Sequence, residues 1–212
     1  MRPVLLAALA ALPLASLSTP LAARAAPMAV PASGDLALVQ QHLRALGSMT
    51  ANFVQVDRTG KSVNGTFLLK KPGRIRFQYE KGVPILIVAE GGALTFVDYS
   101  VRQVQRWPIK NSPLSVLLDP DRDIARYARV VPGADPRGIT VEATDPKHPE
   151  YGRITLLFAH DPAGPSGLVL AGWVIVDAQG NRTGVRLSDQ RFNVPIADNS
   201  FAWRDPRAAG RH

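Results

Sequence analysis

The 212-residue chain contains no cysteine. Disulfides, thiolate metal sites and thiol nucleophiles are therefore excluded, and stability must come from packing alone. A lipid-anchored lipoprotein is excluded too, because that modification needs a cysteine after the signal. Histidine is scarce: His42, His148, His160 and His212 are scattered, and no two have metal-ligand spacing. His42 lies beside the apolar stripe of a helical segment and is expected at the surface. A phosphate-cradling glycine loop is missing, so nucleotide hydrolysis is not expected. The serine in Gly164-Pro165-Ser166-Gly167 does not fit a nucleophile elbow, which needs glycine two places either side, because Leu168 stands two places after it. Asp119, Asp121 and Asp123 have calcium-loop spacing, but Ile124 and Val130 stand where the loop needs glycine and glutamate. Asn64-Gly65-Thr66 and Asn181-Arg182-Thr183 match glycosylation sequons by pattern only. No metal and no cofactor is expected.

Beyond the N-terminus no run is long and apolar enough to span a bilayer. Met1-Arg2, the apolar stretch Val4–Leu21 and the small residues around Ala23-Arg24-Ala25 read as a secretory signal, residues 1–25. Pro13 and Pro20 argue against an uncleaved anchor. Residues 26–34 read as a flexible linker, 35–204 as a single domain and 205–212 as a frayed tail. Acidic residues are the minority: 17 against 25 basic, a net +8 that becomes +6 once Arg2 and Arg24 are removed. Such a balance favours acidic partners. Export and the scatter of basic residues through strands speak against nucleic acid.

What is present is alternation. Val63, Gly65, Phe67 and Leu69 alternate with Asn64, Thr66, Leu68 and Lys70, and Ile75, Phe77 and Tyr79 alternate with Arg74, Arg76 and Gln78. Pro72-Gly73 between them predicts an antiparallel turn. With Met49–Asp57 before them and Pro84–Ala89, Ala93–Asp98 and Val101–Trp107 after, six strands form a meander. Pro84–Ala89 is apolar almost throughout and is expected to be covered on both faces. Leu36, Val39, Leu43 and Leu46 predict an amphipathic helix over 35–47, closed by Gly47. Asn111-Ser112-Pro113 predicts the start of a two-turn helix with Leu114, Leu117 and Leu118 on its apolar face. Further strands are expected at 125–131, 138–143, 152–158, 168–177 and 183–191, and a short one at Phe201-Ala202-Trp203. The fold class is mainly β: an incomplete, half-open antiparallel barrel of about 10–12 strands, with short helices over its open, apolar concave side. An exported sheet with an apolar hollow and no reactive constellation favours a binder over an enzyme.

These residues resemble the periplasmic lipoprotein carriers of Gram-negative bacteria, the LolA type. The resemblance covers most of the chain and is densest from Met49 to Leu118. It rests on Phe53-Val54-Gln55, Lys71-Pro72-Gly73-Arg74-Ile75-Arg76-Phe77, Ile85–Ala89 with Gly91-Gly92 and Leu94–Phe96, and Tyr99 with Gln103-Val104. Ser112-Pro113-Leu114 to Leu118 and Phe201-Ala202-Trp203 complete it. It implies a monomeric periplasmic carrier of triacylated lipoproteins, loaded by an inner-membrane ABC-type release complex and emptied into an outer-membrane acceptor. A cavity wall is expected from Phe53, Phe67, Leu69, Ile75, Phe77, Leu86, Val88, Leu94, Phe96 and Trp173, and a lid from Leu114, Leu117 and Leu118. Lys71, where the family often has arginine, and Arg74 are the gating or partner-contact candidates. Lysine lacks arginine's planar fork but can still donate to a lid carbonyl. The alternatives are a lipid- or lipoprotein-sensing regulator of the same fold and a paralogue carrying another lipid.

Overall fold

A computed structural model describes residues 32–111, 114–118, 123–145 and 147–207. The signal and most of the linker, the Ser112-Pro113 cap, Asp119, Asp121 and His212 lie outside the described residues. Helix α1 spans Ala32–Ala45, so residues 32–34, read as linker, are already helical. β1 (Ser48–Val56), β2 (Ser62–Lys70), β3 (Arg74–Tyr79), β4 (Ile85–Glu90), β5 (Ala93–Asp98) and β6 (Gln103–Pro108) follow as the expected meander. Helix α2 is a single turn, Ser115–Leu118. Next come β7 (Ala128–Val131), β8 (Ile139–Thr144), β9 (Arg153–His160), β10 (Leu168–Val176) and β11 (Arg182–Phe192). The Phe201-Ala202-Trp203 strand is not there: a 3-10 turn, Asp198–Phe201, takes its place.

The 11 strands form one antiparallel sheet in the order β6-β5-β4-β3-β2-β1-β11-β10-β9-β8-β7. The first and last strands of the two meanders, β1 and β11, pair with each other, Phe53 opposite Leu187. The sheet does not close, because β6 and β7 are its two edges. These edge strands are consecutive in the chain, and α2 lies between them in the sequence. Register is shifted at Thr50/Asn52, where β1 meets β11 and the two meanders join, and at Leu170/Gly172, where β10 pairs with β9; such bulges bend a strand.

Period-two alternation sends one apolar set to each face. The concave set comprises Met49 and Phe53, Phe67 and Leu69, Ile75 and Phe77, and, from the second meander, Leu156, Leu170, Trp173 and Val185. Val39, Leu43 and Leu46 of α1 and Val116, Leu117 and Leu118 of α2 pack into the same cluster. Gly65 belongs to this face without a side chain. A Cβ there would strike the Gln78 carbonyl and lie 2.6 Å from the Phe53 ring, so the ring fills the space. The convex face carries a second cluster of Leu86, Val88, Val97 and Phe201, flanked by Leu68, Ile196 and Trp203. Residues 193–203 thus cover the outside of β2–β5, which is why β4 can be apolar on both sides.

Candidate functional site

Five aromatic rings line the concave face in a connected row. Phe53 meets Tyr79 at 5.2 Å and Phe77 at 5.3 Å, Phe77 meets Phe67 at 4.8 Å, and Trp173 closes the row at 5.8 Å from Phe67 and 6.0 Å from Phe77. All are buried, and most meet edge to face, the arrangement that suits their quadrupoles. Tyr79 was legible from its alternation with Ile75 and Phe77 but was not among the wall residues expected. Its hydroxyl donates to Gln55 Oε1 at 2.7 Å, and burial pushes the phenol up to about 12.

Of the expected wall, Phe53, Phe67, Leu69, Ile75, Phe77, Leu94 and Trp173 all join this concave cluster. Phe96 shares Leu94's face of β5 but is only half-buried, next to the open edge. Leu86 and Val88 are a correction: they point to the convex face and pack on Phe201. The concave positions of β4 are Ile85, Ile87 and Ala89. Leu114, Leu117 and Leu118 are all buried in the concave cluster with the wall residues.

The hollow is occupied by the protein's own helices. A small cavity of about 30 Å³ remains beside α2, bounded by Val116, Ile124, Tyr127 and Ala143. That is room for water, not for a hydrocarbon chain.

Polar contacts fasten the helices to the rest of the protein. The β2–β3 turn reaches both of them. The Lys71 ammonium donates to the Leu43 carbonyl in the last turn of α1. The Gly73 amide, held at φ +69° where only glycine is comfortable, donates to the Leu118 carbonyl of α2 at 3.2 Å. Lys71 satisfies a carbonyl that the helix leaves unpaired and places a cation at the negative end of its dipole. Gln40 of α1 accepts from the Ile124 amide at 3.0 Å, which ties α1 to the 3-10 turn Ile124–Arg126. Asn193 takes the Gly47 amide at 2.8 Å and donates to the Ala45 carbonyl at 3.2 Å, closing the end of α1. Arg74 does not share this position. It alternates to the convex face, pairs with Asp198 at 2.6 Å and lies 6.0 Å from the Phe201 ring, so it fastens the C-terminal cover rather than the lid.

His42 is a second correction, because it is fully buried. Pro165–Gly167 packs over α1, and His42 Nδ1 lies 2.8 Å from the Pro165 carbonyl, which can only accept, so Nδ1 carries the proton. Nε2 has no hydrogen-bond partner among the described residues, and the ring stands edge-on to Phe158 at 5.5 Å. Burial, and secondly the nearby Lys71 ammonium, hold its pKa below the ordinary 6.5. Below about pH 6.5 the unfolded chain therefore binds a proton that the folded protein refuses, and stability falls with pH until the folded histidine also protonates. Urea midpoints measured at about pH 7.5 and about pH 5.5 are expected to differ more for the wild type than for His42→Leu. Equal differences would show that His42 is not the titrating group.

No cluster of three or more metal-ligating side chains occurs among the described residues. Asp123, the described member of the calcium-like spacing, caps a 3-10 turn by accepting from the Ala125 amide. No described helix is long and apolar enough to cross a membrane.

The family model for the outer membrane lipoprotein carrier protein LolA matches residues 44–204. The chain belongs to the LolA family. The open 11-stranded sheet with few, short helices is the half-barrel expected of a LolA-type chain. An outer-membrane lipoprotein carrier protein from Albidiferax ferrireducens is 26% identical over 192 residues, covering 84% of this chain and 90% of that one. Another from Chromobacterium violaceum is 27% identical, covering 88% and 91%. Among solved structures, a LolA superfamily protein from Nitrosomonas europaea aligns at 13% identity with a TM-score of 0.45, covering 82% of this chain and 99% of that one. LolA proteins are lipoprotein carriers of the periplasm, a binding rather than a catalytic family.

Proposed function

We propose that this protein takes triacylated lipoproteins from an inner-membrane ABC-type release complex, shields their acyl chains in the hollow under α1 and α2, and delivers them to an outer-membrane acceptor. The observation that carries this reading is an apolar concave wall plugged by two helices that one polar turn, Lys71 to Gly73, fastens from the sheet side. A buried methylene contributes about 0.8 kcal/mol, so three long chains would gain on the order of 30 kcal/mol. That exceeds the practical ceiling of roughly 20 kcal/mol, and a permanently open hollow would not release its cargo. Displacing the helices from the wall re-exposes Leu43, Leu114, Leu117 and their neighbours, and this offsets much of the gain. Loading and unloading are then both within reach.

The reading is tested by displacing a hydrophobic dye with a synthetic triacylated lipopeptide, which is expected to compete at one per protein. Lys71→Met sharpens the test. A hydrogen bond to a charged donor contributes about 1.5–3 kcal/mol, so losing it raises the open fraction and the apparent affinity by about 10- to 100-fold. A folded Lys71→Met protein with wild-type lipopeptide affinity would remove Lys71 from the latch. No competition by the lipopeptide would remove acyl chains from the hollow.

A further inference from the structure

The two edges of the sheet differ. β7 is only four residues long, and α1 packs against it. β6 is six residues long and exposed along almost its whole length. Its backbone polarity can be read from two neighbouring bonds. The Ile109 amide donates to the Gly92 carbonyl at 2.9 Å, so in the alternating antiparallel pattern the odd residues of β6 bond to β5. The Tyr99 amide donates to the Pro84 carbonyl at 2.8 Å, which independently turns the odd residues of β5 towards β4 and its even ones towards β6. Val104 and Arg106 therefore present both amide and carbonyl outward, four backbone groups in a row with no strand partner among the described residues. Pro108 falls at the next outward position, where its missing amide hydrogen costs the sheet nothing. Arg102, at φ 53°, ends the strand at the other side.

The side chains around this edge have a marked character. Of the five large hydrophobic residues most exposed among the described residues, three are Tyr99, Val101 and Trp107. From Tyr99 to Asn111 there is no acidic residue, but Arg102, Arg106 and Lys110 are present, and no acid pairs with them among the described residues. Exposed strand edges are usually blunted, because they recruit other strands. This one combines a free backbone row, exposed apolar side chains and an unbalanced positive charge.

We propose that β6 is a docking edge for an extended segment of a partner protein that carries acidic residues alternating with apolar ones. The segment adds as a twelfth strand through the Val104 and Arg106 backbone groups. Its apolar side chains lie beside Trp107 on the inner face, and its carboxylates lie beside Arg106 on the outer face, following the alternation of β6 itself. A second copy of this chain is the poorer occupant, because edge-to-edge pairing would bring Arg102 and Arg106 against their own counterparts. The inference does not depend on what fills the hollow, since β6 lies outside the plugged cluster.

The test uses the purified protein and an acetylated, amidated peptide of alternating Glu and Val, with a Lys-Val peptide as the charge control. Amide hydrogen exchange followed by NMR is expected to show Val104 and Arg106 exchanging fast in the free protein and slowed at least tenfold by the acidic peptide, with the Lys-Val peptide binding at least tenfold more weakly. Val104→Pro deletes an outward amide without touching the β5–β6 bonds and should weaken binding at least tenfold. If that variant does not fold, N-methylation of the peptide at its paired residues removes the same bonds from the other side. Arg106→Glu should reverse the charge preference. Absence of binding at millimolar peptide, protection elsewhere than Val104 and Arg106, or a concentration-dependent dimer protected at the same amides would each overturn the proposal.

Discussion

Leu117→Glu is expected to uncover the hollow while the sheet stays folded. Leu117 is 2% exposed and packs from α2 into the concave cluster. Removing a buried leucine costs about 2–5 kcal/mol, and burying a carboxylate in its place adds several more. The protein can avoid that cost by letting one turn of helix leave the sheet, because α2 is too short to hold its own conformation. The variant should therefore keep the wild-type β signal in far-ultraviolet circular dichroism. It should bind a hydrophobic dye at least a hundredfold more tightly and aggregate more readily, because open apolar surface is sticky. Wild-type dye binding and wild-type lipoprotein transfer by a folded variant would show that α2 does not cover the site.

The second large effect is expected at the wall. Trp173 is 1% exposed and touches the rings of both Phe67 and Phe77, linking the β10 side of the hollow to β2 and β3. Truncating such a ring to alanine costs about 3–5 kcal/mol, a large part of a typical stability of 5–15 kcal/mol. In a protein of this size each kcal/mol moves the melting temperature by about 2–4 °C, so Trp173→Ala should melt about 6–20 °C lower. Leu86→Ala is the control. It too removes a buried side chain, but on the convex face against Phe201. Both should lose stability, and only Trp173→Ala should change lipopeptide affinity. A melting temperature within about 2 °C of wild type for Trp173→Ala would contradict the packing described.

The first meander was legible because its turns are written in glycine and proline, and because β3 alternates strictly while β1 and β2 alternate over Met49–Phe53 and Val63–Phe67. The concave positions of Phe53, Phe67 and Phe77 followed from that alternation. Leu86 and Val88 were misplaced for a physical reason: a strand covered on both faces has no period to read, and the cover comes from residues more than 100 positions away. The same remote segment explains Arg74, whose partner Asp198 no local pattern points to. His42 was misread as exposed because residue type suggests the surface, whereas the Pro165–Gly167 turn that buries it comes from the β9–β10 connection. Lys71 stood out only through the resemblance to the carriers. Its reach to the Leu43 carbonyl depends on the angle between a turn and a helix, and no spacing in the sequence encodes that angle.

The central claim is carriage of acyl chains from one membrane towards another. Its most direct test uses spheroplasts making a labelled triacylated lipoprotein, incubated with the purified protein, with the supernatant then resolved by size. A soluble one-to-one complex that forms only when the membrane donor has ATP is the expected result. A folded protein that releases nothing would contradict the claim and would leave a sensor, or a carrier of a different lipid, as the reading to pursue by mass spectrometry of co-purifying molecules.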